Sequence, residues 1–355
     1  MDEQRIKRKL EHLQYALQSA PGPLSSGWED LHLVHQALLK TDLKDVDTSV
    51  TLFNKKLALP LIINAMTGGA EGLEKYNRVF AEIANEFGLG MAVGSQTAAI
   101  HHKSKAFSFQ IVRKVNPQGL IFANVSAGVK PETALAAVEM IEADALQLHL
   151  NGVQELVMKE GDREFKHWAL NIENICRLVS VPVVVKEVGN GISWEIAKKL
   201  GELGVSGIDT GGSGGTNFAS IELARNQREN LEFLRFWGIP SAASLLEVCS
   251  LNSALTIIAS GGITNSLESM KALAVGADAV GIAGSFLQVL AKEGKEGLRK
   301  FVCNFGDELR LVMLLTGTQN VAEIRKLPVV ITGLIREWYE QRWESHGGER
   351  YAQKC

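Results

Sequence analysis

The chain has 355 residues, 46% hydrophobic and 22% charged, with a formal net charge of -3 at pH 7. This is the balance of a globular enzyme with a large core, and it excludes general attraction to nucleic acid or an anionic membrane, so an anionic ligand must be held by local positive charge. Cys176, Cys249, Cys303 and Cys355 form no C-x-x-C pair, which argues against a zinc site, a redox motif or a dense disulfide framework.

The charged start Met1-Asp2-Glu3-Gln4-Arg5 has no apolar core of a leader, and no apolar run approaches membrane length, so the expected location is cytoplasmic. Ile6, Leu10, Leu13 and Leu17 recur at helical spacing and predict an amphipathic helix over 3–18, ending before Pro21-Gly22-Pro23. Arg5, Lys7, Arg8 and Lys9 crowd its start; a solvated face is the ordinary reading of such a cluster. From Pro60 short apolar runs at 61–65, 90–93, 120–123, 146–149, 181–186, 207–209, 256–259 and 279–282 alternate with helical patterns such as 132–141, 192–203 and 266–275.

Near-continuous apolar strands are those covered on both faces, so these units predict a closed parallel TIM (β/α)8 barrel, with a doubly wound open sheet as the alternative. The organisation expected is a single domain over 1–355: a barrel core over about 60–290, an N-terminal helical extension over 1–59 and C-terminal helices over 291–355. The charged segment 218–251 exceeds a simple crossover and reads as an insertion near the mouth, able to act as a lid. Patterns at 298–315 and 331–343 read as helices, the second with an aromatic stripe of Trp338, Tyr339 and Trp343 suited to packing or a subunit contact.

Barrel enzymes place chemistry after the carboxyl ends of their strands. Here those positions hold Met66-Thr67-Gly68-Gly69, Gly94-Ser95-Gln96, Asn124, His149 to Glu155, Lys186-Glu187, the run from Thr210 to Thr216, Ser260-Gly261-Gly262 and Ala283-Gly284-Ser285. Glycines after the seventh and eighth strands suit a phosphate held on backbone N–H groups, whereas Gly68-Gly69 alone reads as an ordinary turn. Lys186 in an apolar mouth calls for an anion or an electron-rich ring, with a Schiff base as the competing role. In His149-Leu150-Asn151-Gly152-Val153-Gln154-Glu155, His149 and Asn151 share a strand face, and Gln154 and Glu155 fall in the first turn of a following helix. Phosphate or an oxygen-ligated Mg2+ is the natural guest, against the plain alternative of an N-terminal acid beside a core histidine.

Taken together, Arg8-Lys9-x-x-His12, Ala65-Met66-Thr67-Gly68-Gly69, Gly94-Ser95-Gln96, Asn124, His149-x-Asn151-x-x-Gln154-Glu155, Lys186-Glu187-Val188-Gly189, Gly214-Gly215-Thr216 and Ala259-Ser260-Gly261-Gly262 resemble the type 2, flavin-dependent isopentenyl diphosphate isomerases. The resemblance implies an FMN-binding barrel that interconverts isopentenyl and dimethylallyl diphosphate with Mg2+ and reduced flavin, NADPH serving as reductant. It implies FMN contacts from Ala65, Met66, Thr67, Ser95, Asn124, Lys186, Gly211, Thr216, Gly261, Gly262, Ala283 and Gly284. Arg8, Lys9, His149 and Asn151 are implied at the substrate diphosphate, Gln154 beside the allylic carbon and Glu155 on Mg2+. The implied chemistry protonates the double bond from reduced flavin at N5 and removes a proton from the neighbouring carbon, Gln154 acting as relay or positioner because an amide is a weak base. A homotetramer or larger assembly is implied as well.

Two positions depart from the pattern. Thr97 stands where many relatives have an arginine that holds diphosphate, and Gly211 where they often have Ser or Ala, a change expected to loosen one flavin contact. The rival is an FMN-dependent 2-hydroxy acid oxidase or dehydrogenase, whose histidine, glycine pair and arginine are echoed by His346-Gly347-Gly348 and Arg350, but beyond the eighth strand. A catalytically silent flavin-binding scaffold is the other rival; polar groups at every strand end speak against it, because each would bear a desolvation cost without use.

Overall fold

The computed structural model describes residues 11–15, 17, 22–70, 72–226 and 228–346. Its centre is the expected closed barrel of eight parallel strands, in the order β4 to β11 around the ring. Three short strands precede the ring: β1 (Leu31–Leu33), β2 (Val50–Leu52) and β3 (Lys55–Leu57). The ring itself is β4 (Leu61–Ile63), β5 (Gly90–Ala92), β6 (Ile121–Ser126), β7 (Ala145–Leu150), β8 (Val183–Glu187), β9 (Gly207–Asp209), β10 (Thr256–Ser260) and β11 (Ala279–Ile282). Closure comes from β11 against β4, with Val280 opposite Leu61 and Ile282 opposite Ile63. Each predicted run became a strand, two with the expected bounds and the rest with ends displaced by at most three residues.

Side chains alternate across a strand, and this period of two sorts the barrel into two populations. Outward residues such as Leu61, Ile63, Ile121, Leu146, Leu148, Val183 and Val185 join the main core against the surrounding helices. Inward residues nearer the strand starts, Ile62, Ala92, Phe122, Ala145, Val184, Ile258 and Ala279, form a separate apolar layer inside the ring. Those nearer the strand ends, Asn64, Asn124, Gln147, Lys186, Asp209 and Ser260, are polar and buried or nearly so.

The lower opening is stoppered by the hairpin β2–β3, whose Leu52 and Leu57 pack into the inner apolar layer. Its two-residue turn, Phe53 and Asn54, has positive φ at both positions, the geometry that matches the twist of a tight hairpin. Phe53 meets Phe122 edge to face at 5.9 Å.

The extensions depart from expectation. Residues 11–15 and 17 are helical, but 22–59 hold β1, the hairpin and two short 3-10 turns in place of further helix. β1 pairs antiparallel with β12 (Val329–Ile331), so Ile331 is strand, and the C-terminal helix runs Gly333–His346. That helix docks on the outer helix Ser241–Cys249, where Trp338 Nε1 and Arg342 Nε donate to Glu247 Oε1 at 2.7 and 2.9 Å. Trp338 of the aromatic stripe therefore serves packing.

Local chemistry sets several helix starts. Asn265 caps Ser266–Val275 by accepting from Glu268 N at 2.9 Å, Ser193 caps Trp194–Glu202, and Pro131 opens Pro131–Met140, where its missing N–H costs nothing.

Candidate active site

A cavity of about 570 Å³ opens at the carboxyl ends of the strands. Every predicted site residue among the described ones lines it: Ala65, Met66 and Thr67 after β4, Ser95 after β5, Asn124 in β6, His149 in β7, and Asn151, Gln154 and Glu155 just beyond. Across the mouth stand Lys186 of β8, Gly211 and Thr216 after β9, Gly261 and Gly262 after β10, and Ala283 and Gly284 after β11. Arg8 and Lys9 lie outside the described residues, as do 347–350 of the C-terminal His-Gly-Gly-x-Arg run.

Lys186 does not await a ligand for its counter-ion. Its Nζ donates to Asp209 Oδ2 at 3.0 Å and Ser260 Oγ at 3.1 Å, and Asp209 is wholly buried. A buried ammonium paired this way stays compatible with an apolar mouth, because the carboxylate offsets its desolvation. An ammonium has three donors, and Lys186 also lines the cavity, so the third is directed to whatever binds there. Beside it Glu187 is buried; burial pushes its carboxyl up to about 7, against backbone N–H donors from Asn190 and Gly189.

On the opposite wall Gln154 and Glu155 are pinned. Asn151 Nδ2 donates to Glu155 Oε1 at 2.8 Å and to Gln154 Oε1 at 3.3 Å, while Asp162 N donates to Glu155 Oε2 at 2.8 Å. Gln154 Nε2 donates to Glu222 Oε1 at 3.1 Å, and His12 Nε2 meets the same oxygen at 2.6 Å. Arg225 and Asn226 donate to Glu222 Oε2 at 2.7 and 3.0 Å. Burial alone would raise Glu222, but the hydrogen bond and charge of His12, with the bonds from Gln154 and Arg225, outweigh it and hold the carboxyl at about 2. Arg225 also takes Glu11 at 2.7 Å and Glu160 at 2.8 Å, so the insertion helix Phe218–Asn226 ties the start of the chain to its own barrel mouth. The expected insertion is indeed at the mouth.

Two glycine loops meet backbone to backbone nearby. A Cβ on Gly215 would lie 2.6 Å from Gly262 N, and one on Gly262, at φ +68, would lie 2.8 Å from Gly214 O. The helix Gly284–Leu315 starts at this rim, presenting first-turn amides that no helix can satisfy internally. This cradle fits a phosphate. Gly211 is also required here, because at φ +46 a Cβ would come within 1.8 Å of Glu187 O, so its lack of a side chain meets a packing need. Gly68 is likewise a packing glycine, its Cβ position lying 2.2 Å from the Phe109 ring. Thr97 lines the cavity and its Oγ1 sits 3.3 Å from Ser95 Oγ.

A single carboxylate with amide support suits Mg2+, which keeps several waters and shares substrate oxygens. Among the described residues no group of three or more His, Cys, Asp or Glu converges as a metal cage. Sequence reasoning missed Asn64, Gln147, Asp209 and Glu222; the first three were visible as polar residues within apolar runs.

The barrel, glycine cradle and lysine floor define an FMN-binding (β/α)8 enzyme, and a family model described as FMN-dependent dehydrogenase matches residues 102–330. Solved mandelate oxidase structures share the fold at 17% and 18% identity, one covering 91% of this chain and 92% of its own with a TM-score of 0.65, another 90% and 95% with 0.67. Curated proteins named isopentenyl-diphosphate delta-isomerase are far more similar. That of Moorella thermoacetica is 45% identical over 95% of this chain and 97% of its own, that of a Geobacillus species 45% over 95% and 97%, and that of Listeria monocytogenes 41% over 94% of each. The chain belongs to the isopentenyl-diphosphate delta-isomerase family, of the type 2, flavin-dependent kind.

Proposed function

We propose that this protein interconverts isopentenyl and dimethylallyl diphosphate, using reduced FMN, Mg2+ on Glu155 and NADPH as the reductant of the flavin. The observation that carries the reading is the pinning of Gln154 and Glu155 side by side, by Asn151 and Glu222, across the mouth from Lys186. The reaction adds a proton to the terminal alkene carbon and removes one from the allylic carbon beside the tertiary centre, so protons balance and no oxidant is consumed. Reduced FMN supplies, when bound, a flat electron-rich face and an acid.

Lys186, held in place by Asp209 and Ser260, stabilises negative charge against that face. Glu155 arrives preset for the metal, because two donors already fix both carboxylate oxygens. His149 would meet the diphosphate beside a Mg2+ held on Glu155, and Arg8 and Lys9, which precede the tethered Glu11 and His12 in sequence, would add the positive charge a diphosphate needs. Gln154 offers its carbonyl oxygen to the departing proton, with the ionised Glu222 behind its amide as a fixed acceptor. The barrel wall keeps water from a developing tertiary cation.

Anaerobic incubation of the protein with FMN, NADPH, Mg2+ and isopentenyl diphosphate tests this. Dimethylallyl diphosphate is expected only with reduced flavin and only with Mg2+. FMN bound without product would refute the reading, and flavin reduction by lactate or glycolate would favour the hydroxy acid rival.

A further inference from the structure

The polar inward residues form one hydrogen-bonded run across the barrel floor. Asn64 Nδ2 donates to Asp209 Oδ2 at 2.7 Å, Gln147 Nε2 to Asn64 Oδ1 at 3.1 Å, and Asn124 Nδ2 to Gln147 Oε1 at 3.1 Å. The run ends where His149 Nδ1 meets Asn124 Oδ1 at 2.9 Å.

Each amide in this run has its orientation dictated by its neighbours. Asp209 is an acceptor at both oxygens, one facing Lys186 and the other Ser260 Oγ, so Asn64 must offer it the NH2 group. Asn64 Oδ1 also accepts from the backbone N–H of Ala65 at 2.9 Å, which fixes the same orientation independently. Gln147 must then donate to Asn64, and Asn124 to Gln147, because a carbonyl facing a carbonyl would be repulsive and leave buried acceptors unsatisfied. What reaches His149 is therefore a carbonyl oxygen, which requires a proton on Nδ1.

We propose that Asp209 sets the tautomer of His149 from across the barrel, through Asn64, Gln147 and Asn124, holding the proton on Nδ1 and turning the Nε2 edge to the cavity. Asp209, Asn64 and Gln147 are then positioning residues for the histidine. The ring can take up a second proton at Nε2 without giving up its bond to Asn124, which is the state that donates to a phosphate oxygen. Naming diphosphate as the group met by Nε2 rests on the function proposed above.

The test is a ¹⁵N spectrum of the FMN-loaded full chain labelled at histidine, recorded without substrate at about pH 8, above the ordinary imidazole range. The His149 signals are assigned by their loss in His149→Gln. Protonated Nδ1 with unprotonated Nε2 is expected; protonated Nε2 overturns the proposal. In Gln147→Met the run is cut, so His149 should populate both tautomers and the KM for isopentenyl diphosphate should rise roughly threefold to tenfold. A single unchanged tautomer in that variant overturns the proposal, and mixed tautomers with an unchanged KM overturn its link to substrate. Should Gln147→Met fail to fold, the wild-type spectrum decides, and Asn64→Leu provides the second variant, since it removes the fixed acceptor of Gln147 and should also mix the tautomers. Because the spectrum needs no turnover, an inactive wild type would sink the isomerase reading and leave the tautomer to be judged separately.

Discussion

Glu222 offers a sharp test of how the wall of the site is held. Its two oxygens receive His12 and Gln154 on one side and Arg225 and Asn226 on the other. In Glu222→Gln the new NH2 group must face one of these donor pairs, so the charge and two good bonds are lost together. The drop of the carboxyl from 4.5 to about 2 corresponds to about 3 kcal/mol of preference for the ionised form in the folded state. Because the folded value lies below the unfolded one, that stabilisation is present above about pH 4.5 and disappears as pH falls from there to about 2. The variant should melt several degrees lower at neutral pH, and its stability should fall less steeply between about pH 4.5 and 2. Gln154 loses its charged acceptor, so kcat should drop roughly 10- to 100-fold, with FMN affinity changed little. Steady-state isomerase kinetics and thermal melts across pH read both effects. Wild-type kcat together with a wild-type pH profile would show that Glu222 fixes nothing.

Gly262→Ala should weaken FMN at least tenfold by fluorescence titration, since the Cβ would press on Gly214 O at a φ that alanine tolerates poorly. In Glu155→Gln activity should collapse at ordinary Mg2+ with FMN still bound, and partial recovery is expected only at much higher metal. Glu187 carries the opposite sign to Glu222: its folded value of about 7 lies above the ordinary 4.5, so it favours folding at low pH and costs stability as pH rises from about 4.5 to 7. Glu187→Gln should therefore flatten that part of the stability curve, and melting at pH values across the interval checks it. Leu57→Ala should destabilise by about 2–5 kcal/mol in denaturant unfolding, because Leu57 is buried in the inner apolar layer.

The barrel was legible because its strands are bare apolar runs ended by glycine, serine or asparagine, and the site because strand ends are where such barrels act. β1 and β12 were not, since His32 and Thr332, which bond across them, stand 300 residues apart and three-residue strands carry no period of their own. The hairpin escaped notice because Phe53 at positive φ is no turn signal. Asn64, Gln147 and Asp209 were passed over as members of apolar runs, although alternation turns all three inward. Glu222 is 68 residues from Gln154, and only the folded insertion joins them. His12 stood in a quoted motif without a role until Glu222 was placed against it.

The hairpin stopper makes the chamber a cul-de-sac. Among the described residues Leu52 and Leu57 seal one end, so traffic passes through the mouth at the carboxyl ends of the strands, where Glu11 is tethered. Occupancy then follows a queue: whatever lies deepest must arrive first and depart last. A cofactor seated on the floor is trapped for as long as substrate stands above it, so a saturated enzyme should hold its flavin longer than an idle one.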